Sequence, residues 1–209
     1  LKNLFIFKGM EATVDLVKNL KPNLIVNATG SVPLLPPIPG LHEHLGKPGS
    51  NVFSILDMIE NLDRYPADLS GKKVVVVGGG AVGLDVVEYF APRGAKTSIV
   101  EMLPTIGNGL DPVTKVDVFS LMEKYNVRQL PGTKLKSVQA DSFLVETPEG
   151  EERLAFDYGF ICLGMKSAAP ILPDIQAAFQ DSRECEIVSI GDSGRPKKKM
   201  IPGISVNGN

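Results

Sequence analysis

Lys72-Lys73-Val74-Val75-Val76-Val77-Gly78-Gly79-Gly80-Ala81-Val82-Gly83 is the stretch that decides the fold. Four consecutive valines have the pattern of a strand buried on both faces. The glycines break that strand. Leu84-Asp85-Val86-Val87-Glu88-Tyr89-Phe90 follows, with apolar residues at the spacing of a helix. Strand, glycine turn and helix are the context in which Gly78-x-Gly80-x-x-Gly83 reads as a dinucleotide-binding fingerprint. Gly78 permits the tight turn out of the strand. Gly80, lacking Cβ, lets a pyrophosphate approach the backbone, and Gly83 lets the helix pack close to the sheet. Backbone groups from Gly78 through Gly79, Gly80, Ala81 and Val82 to Gly83 then face the phosphates at the positive end of the helix.

A second strand, Lys96 to Val100, ends in Glu101, 18 residues past Gly83. A carboxylate about 20 residues on accepts hydrogen bonds from the adenosine ribose and repels a 2′-phosphate. Met102, Leu103 and Pro104 come next, with no cation to receive that phosphate. The pattern points to NAD(H) over NADP(H).

Outside this unit the totals are ordinary. The chain has 209 residues, 43% hydrophobic and 22% charged, with a net charge of −2. Nothing in the total charge draws it to nucleic acid or to a membrane surface. No apolar run approaches the ~18 residues of a membrane span, so no membrane partner is expected, and a cytoplasmic location is the default. Cys162 and Cys185 have neither zinc nor redox-pair spacing, and Cys162 lies in an apolar run that suits a core thiol. His42 and His44 fall in the proline-rich stretch 33–50, read as a loop and domain crossing rather than a metal site.

Before the fingerprint, a helix is expected over 12–20, stopped by Lys21-Pro22-Asn23. A buried strand follows at Leu24 to Asn27, running into Ala28-Thr29-Gly30-Ser31, and a helix at Ile55 to Leu62. After the fingerprint, Asp111-Pro112 opens a helix to Tyr125. Short strands follow at 127–130, 134–139, 143–147 and 153–156, with a turn at Pro148 to Glu151, so that a β-α-β-α-β half is followed by an antiparallel meander. Two more buried strands follow, Phe160 to Gly164, which ends in glycine, and Ile187 to Asp192. The tail 193–209, with lysines at 197 to 199, reads as a solvated basic face.

Four pieces in order carry a resemblance. They are Val26-Asn27-Ala28-Thr29-Gly30-Ser31, the fingerprint with Glu101, Ile161-Cys162-Leu163-Gly164, and Ile190-Gly191-Asp192. Together they resemble the C-terminal half of the NADH:flavin oxidoreductases of the 2,4-dienoyl-CoA reductase type. Pyridine nucleotide-disulfide oxidoreductases share that layout. The resemblance implies an α/β fold: a Rossmann-like NAD-binding domain, a parallel sheet plus an antiparallel meander, inserted in a partial FAD-type α/β domain. It assigns residues 1–40 and 157–209 to the FAD-type domain and 50–156 to the NAD domain. By the same resemblance Leu163 and Gly164 lie near the nicotinamide half. Ala28, Thr29, Gly30, Gly191 and Asp192 belong to the flavin side, with Asp192 on the ribityl chain. The cofactors implied are NAD(H) and, in the intact protein, FAD.

An earlier FAD-binding fingerprint, cluster-ligating cysteines and an FMN-holding barrel have no counterpart here. Asp85 stands where the family commonly has Glu. The chain, which starts at Leu1, reads as an excised middle that binds NADH without turnover, its partners being the FAD- and FMN-binding parts of a parent chain. No residue reads as an essential nucleophile or acid-base pair. A non-catalytic NAD-sensing module and an NADP-linked reductase are the alternatives. Glu101 opposes the latter, and the flanking FAD-type pieces oppose the former.

Overall fold

The computed structural model describes residues 3–180 and 185–194. The basic tail and its lysines lie outside the described residues.

Local chemistry sets most of the elements. Helix α1 (Val14–Leu20) begins under Thr13, whose hydroxyl accepts from the Leu16 N–H at 3.2 Å, and ends at Lys21 in the left-handed region. Strands β1 (Leu24–Asn27) and β2 (Ser31–Pro33), helix α2 (Leu41–His44) and strand β3 (Val52–Ser54) follow. Ser54 also starts helix α3 (Ile55–Glu60) through a capping box, exchanging bonds with Asp57 at 2.8 and 3.2 Å. Next come strand β4 (Lys73–Val77), helix α4 (Ala81–Phe90) and strand β5 (Lys96–Val100). Helix α5 (Pro112–Lys124) has proline at its first position. Asp111 caps it, accepting from the Val113 and Thr114 N–H groups at 3.0 Å. Strands β6 (Arg128–Leu130), β7 (Lys134–Val138), β8 (Ser142–Thr147), β9 (Gly150–Ala155), β10 (Tyr158–Ile161) and β11 (Met165–Ser167) precede helix α6 (Leu172–Ala178) and strand β12 (Glu186–Ser189).

These elements form two compact units. Among the described residues, one comprises 33–164 and the other 3–32 with 165–180 and 185–194. The larger unit is therefore inserted in the sequence of the smaller. Its centre is a five-stranded parallel sheet in the order β3-β10-β4-β5-β6. Alternate valines of β4 feed two cores. Val74 and Val76 join Leu84, Val87, Phe90, Val118 and Met122 beneath helices α4 and α5. Val75 and Val77 join Val100, Val145 and Leu154 beneath the antiparallel meander β7-β8-β9. A sheet buried on both faces is what the unbroken valine run demands.

The smaller unit pairs β1 with β12 in parallel, Leu24 beside Glu186 through Asn27 beside Ser189. It buries little: Leu24, Val26 and Ile190 are exposed, while Asn27, Ile175 and Ser193 are buried. A two-stranded sheet has only marginal stability by itself.

Both expected boundaries move. Tyr158–Ile161 does not start the second piece of the smaller unit. It lies hydrogen-bonded between β3 and β4, and Phe160 and Ile161 are buried. A strand with a partner on each side completes that sheet, so the chain leaves the larger unit only after Gly164. The proline-rich stretch 33–50 is not a loop crossing between units: it belongs to the larger one and contains α2. Leu35, Ile38 and Leu45 pack against the meander-side core and Leu41 is fully buried in it. Pro39 O accepts from the Val138 N–H at 2.9 Å. Apolar residues set between the prolines anchor a segment that cannot itself join a ladder. His42 and His44 lie on α2, and no group of three or more metal-ligating side chains occurs among the described residues.

Candidate dinucleotide site

β4 is the point where the sheet order reverses, since β5 lies on one side of it and β10 on the other. Ligands of open α/β sheets bind beyond the carboxyl ends of the strands at such a point. The structure gathers Gly78–Gly83, Glu101, Leu163 and Gly164 there, at the ends of β4, β5 and β10.

The glycines have different tasks. Gly78 has φ +111°, and a Cβ on it would stand 2.1 Å from Cys162 O, at the end of β10. A Cβ on Gly83 would stand 1.8 Å from Gly78 O. The fold itself requires these two glycines. A Cβ on Gly80 would meet nothing within 4 Å, and its φ of −81° suits any residue. Nothing among the described residues demands a glycine there; a ligand lying against the backbone would. Gly80 is the N-cap of α4 and provides no side-chain cap, which leaves the first-turn N–H groups without side-chain acceptors.

Glu101 is held in place. Oε2 accepts from the Gly79 N–H at 2.6 Å and Oε1 from the Leu103 N–H at 2.8 Å. A carboxylate offers about four acceptor sites, so each oxygen keeps one for a ligand hydroxyl. A Cβ on Gly79 would lie 3.0 Å from Glu101 Cβ. The middle glycine thus makes room for the acid, a role the sequence reading missed, although an uninterrupted Gly-Gly-Gly was the signal for it. Gly107 N–H donates to Gly79 O at 2.8 Å, so the segment after Glu101 is tied to the turn as well.

Leu163 is half-buried. Gly164, at φ +105°, is exposed and accepts the Leu34 N–H at 2.8 Å. Cys162 is buried between these residues and the glycine turn. Burial, with the Asp85 charge adding to it, pushes the Cys162 thiol up to about 12. Burial also raises the Asp85 carboxyl. The neutral thiol is the form the fold favours. Its contribution to stability is complete below the ordinary value of 9.0 and is lost as pH rises from there through about 12. At neutral pH a disulfide reagent such as DTNB should modify the half-exposed Cys185 within minutes and Cys162 only on unfolding. Two thiols reacting at one rate in the folded protein would contradict this.

The remaining expected residues come together in the smaller unit, at the carboxyl ends of β1 and β12. Ala28, Thr29 and Gly30 follow β1, and Gly191 and Asp192 follow β12. The Thr29 hydroxyl donates to Asn27 Oδ1 at 3.0 Å and also contacts Ala168 O. Ser31 Oγ donates to Asp192 Oδ2 at 3.1 Å. The buried Ser193 hydroxyl donates to Asn27 O at 2.8 Å. These bonds tie the two strand ends to each other, and Asp192 stays exposed.

The family profile described as pyridine nucleotide-disulphide oxidoreductase matches residues 7–188. The chain belongs to this family. The family consists of flavin-dependent oxidoreductases with NAD(H) and FAD as cofactors. A bilirubin reductase of Mediterraneibacter gnavus is 30% identical over 184 residues, 88% of this chain and 26% of that protein. An NADH oxidase of Thermoanaerobacter brockii is 29% identical over 144 residues, 69% of this chain and 21% of that one. The chain thus spans about a quarter of the length of these relatives. A solved 2-naphthoyl-CoA reductase in complex with 2-naphthoyl-CoA superposes with a TM-score of 0.71 at 25% identity, over 90% of this chain and 26% of that one. Histamine dehydrogenase from Rhizobium sp. 4-9 also gives 0.71, at 18% identity over 90% of this chain and 30% of its own, and shows the fold alone. Among the described residues no helix is long and apolar enough to cross a membrane.

Proposed function

We propose that this chain is the NADH-binding portion of a flavin-dependent oxidoreductase of the 2,4-dienoyl-CoA reductase type. One observation carries the reading: Gly80 is a glycine that the fold does not need, at the phosphate position of the fingerprint. The residues fit the nicotinamide dinucleotide. Gly80 and the first turn of α4 present backbone N–H groups to the pyrophosphate. Glu101, already oriented by Gly79 and Leu103, offers its spare acceptor sites to the adenosine ribose. Leu163 and Gly164 border the nicotinamide half.

When bound, the nicotinamide supplies a hydride and the flavin of the intact protein accepts it. The smaller unit contributes Ala28 to Gly30, Gly191 and Asp192 to the flavin side, with Asp192 directed to a ribityl hydroxyl. It is the partial FAD-type domain of this reading, and its exposed Leu24, Val26 and Ile190 suit a sheet that continues into further parent chain. That flanking unit also favours a reductase over an NAD-sensing module, which has no use for it. The parent's FAD- and FMN-binding parts are the partners, and the chain alone binds NADH without turnover. A cytoplasmic location accords with two free thiols.

Glu101→Ala tests the ribose contact. Loss of a charge-assisted hydrogen bond costs about 1.5–3 kcal/mol, roughly a tenfold to hundredfold drop in affinity. NADH affinity should fall by that factor and the preference over NADPH should narrow. An unchanged NADH/NADPH ratio would remove Glu101 from the site.

A further inference from the structure

The amino-terminal edge of the parallel sheet carries a second concave site, opposite the strand ends that form the dinucleotide site. In the register of β4 and β5, Lys73 lies directly beside Lys96 and Val75 beside Ser98. In the next pairing Ser98 lies beside Arg128 of β6. Strand alternation places Lys73, Lys96, Ser98 and Arg128 on the meander face, the face to which Val75, Val77 and Val100 contribute. There they line a hollow of about 270 Å³, closed on its other side by Glu152 to Ala155 of β9.

The charges in it are unbalanced. Three cations, Lys73, Lys96 and Arg128, meet one carboxylate, Glu152; Arg153, next to the core residue Leu154 on β9, alternates to the outer face of the meander. Glu152 is spent on Arg128, which it binds through both oxygens at 2.6 and 2.8 Å. The nearby Asp157 is also committed, to Lys72 Nζ at 3.0 Å and the Lys73 N–H at 2.8 Å. The side chains of Lys73 and Lys96 form no ion pair among the described residues, and the Lys73 charge acts on Asp157 without a contact. Like charges directly opposite on neighbouring strands destabilise a sheet. Here two stand side by side on a concave floor.

We propose that this hollow binds a multiply charged phosphate-class anion between Lys73 and Lys96, with the Arg128–Glu152 pair as its fixed wall. Such an anion converts the lysine repulsion into two attractions. Lysine ammonium groups serve phosphate as point charges that tolerate varied geometry.

The probe is pyrophosphate, titrated at constant ionic strength against the 209-residue chain, with the thermal midpoint and calorimetric heat as readouts. Wild type should show saturable binding and a raised midpoint. K73Q/K96Q should lose at least tenfold in affinity, and without anion at low salt it should melt at or above the wild-type temperature, because the repulsion is gone. Gly80→Val, which obstructs the dinucleotide site, should leave pyrophosphate binding intact. Inorganic phosphate binding as tightly as pyrophosphate would indicate a single-phosphate ligand within the same class. The proposal is overturned if K73Q/K96Q binds pyrophosphate like wild type, if Gly80→Val abolishes binding, or if sodium chloride at matched ionic strength reproduces the whole stabilisation.

Discussion

Gly83→Ala lowers the thermal midpoint by about 10 °C, even though alanine is the better helix former by about 1 kcal/mol. The added Cβ would stand 1.8 Å from Gly78 O and 3.3 Å from Val76 Cγ1. The first neighbour is backbone in a turn that cannot yield, because Gly78 sits against Cys162 O and donates its N–H to Val100 O at 2.8 Å. Helix α4 must therefore move off the sheet and open the contacts of Leu84, Val87 and Phe90, all buried in the helix-side core. Overpacking of this kind costs about 3 kcal/mol or somewhat more. At roughly 2–4 °C per kcal/mol for a chain of this size, that is the shift stated. Thermal unfolding followed by circular dichroism checks it. A midpoint within 2–3 °C of wild type, on the order of 1 kcal/mol, would mean that helix and strand do not approach as closely as described.

Gly80→Val gives the opposite pattern, an intact fold and no nucleotide binding. The valine side chain enters open space at an N-cap whose dihedral angles it tolerates. Valine is a poorer N-cap than glycine, so a stability loss of up to about 1 kcal/mol is expected. The space it takes is where a pyrophosphate would lie against the backbone, so the loss of NADH binding should be complete within detection. Unfolding curves and NADH titrations on the same preparation separate the two effects. Tight binding by a folded Gly80→Val protein would place the dinucleotide elsewhere. Two glycines three residues apart thus have separable tasks: Gly83 serves the packing and Gly80 the ligand.

The sequence was most legible where one physical demand acts alone. The valine run, the glycine turn, the Asp111-Pro112 helix start and the alternating meander strands all appear near their expected positions. Elements set by tertiary pairing were illegible. Strand β3 has three residues, and its last, Ser54, also caps α3, so no period could emerge. Strands β2 and β11 are as short and, among the described residues, pair only with each other. Helix α6 carries Pro173 in its first turn, beside Pro170, which in sequence resembles a loop. The stretch 33–50 misled for a related reason: its prolines signal absent ladders, while Leu35, Ile38 and Leu41 supply burial that periodicity does not register. At the site, Glu101 was visible from its spacing. Its bonds to Gly79 and Leu103 were not, because they depend on how the loop after β5 folds back.

The central claim is that the turn from Gly78 to Gly83, together with Glu101, holds NADH. A fluorescence titration of the chain with NADH and then NADPH, at one ionic strength, tests it most directly. Saturable binding that favours NADH is the predicted result. Equal affinity for both would contradict the role given to Glu101, and no saturable binding of either would contradict the site itself.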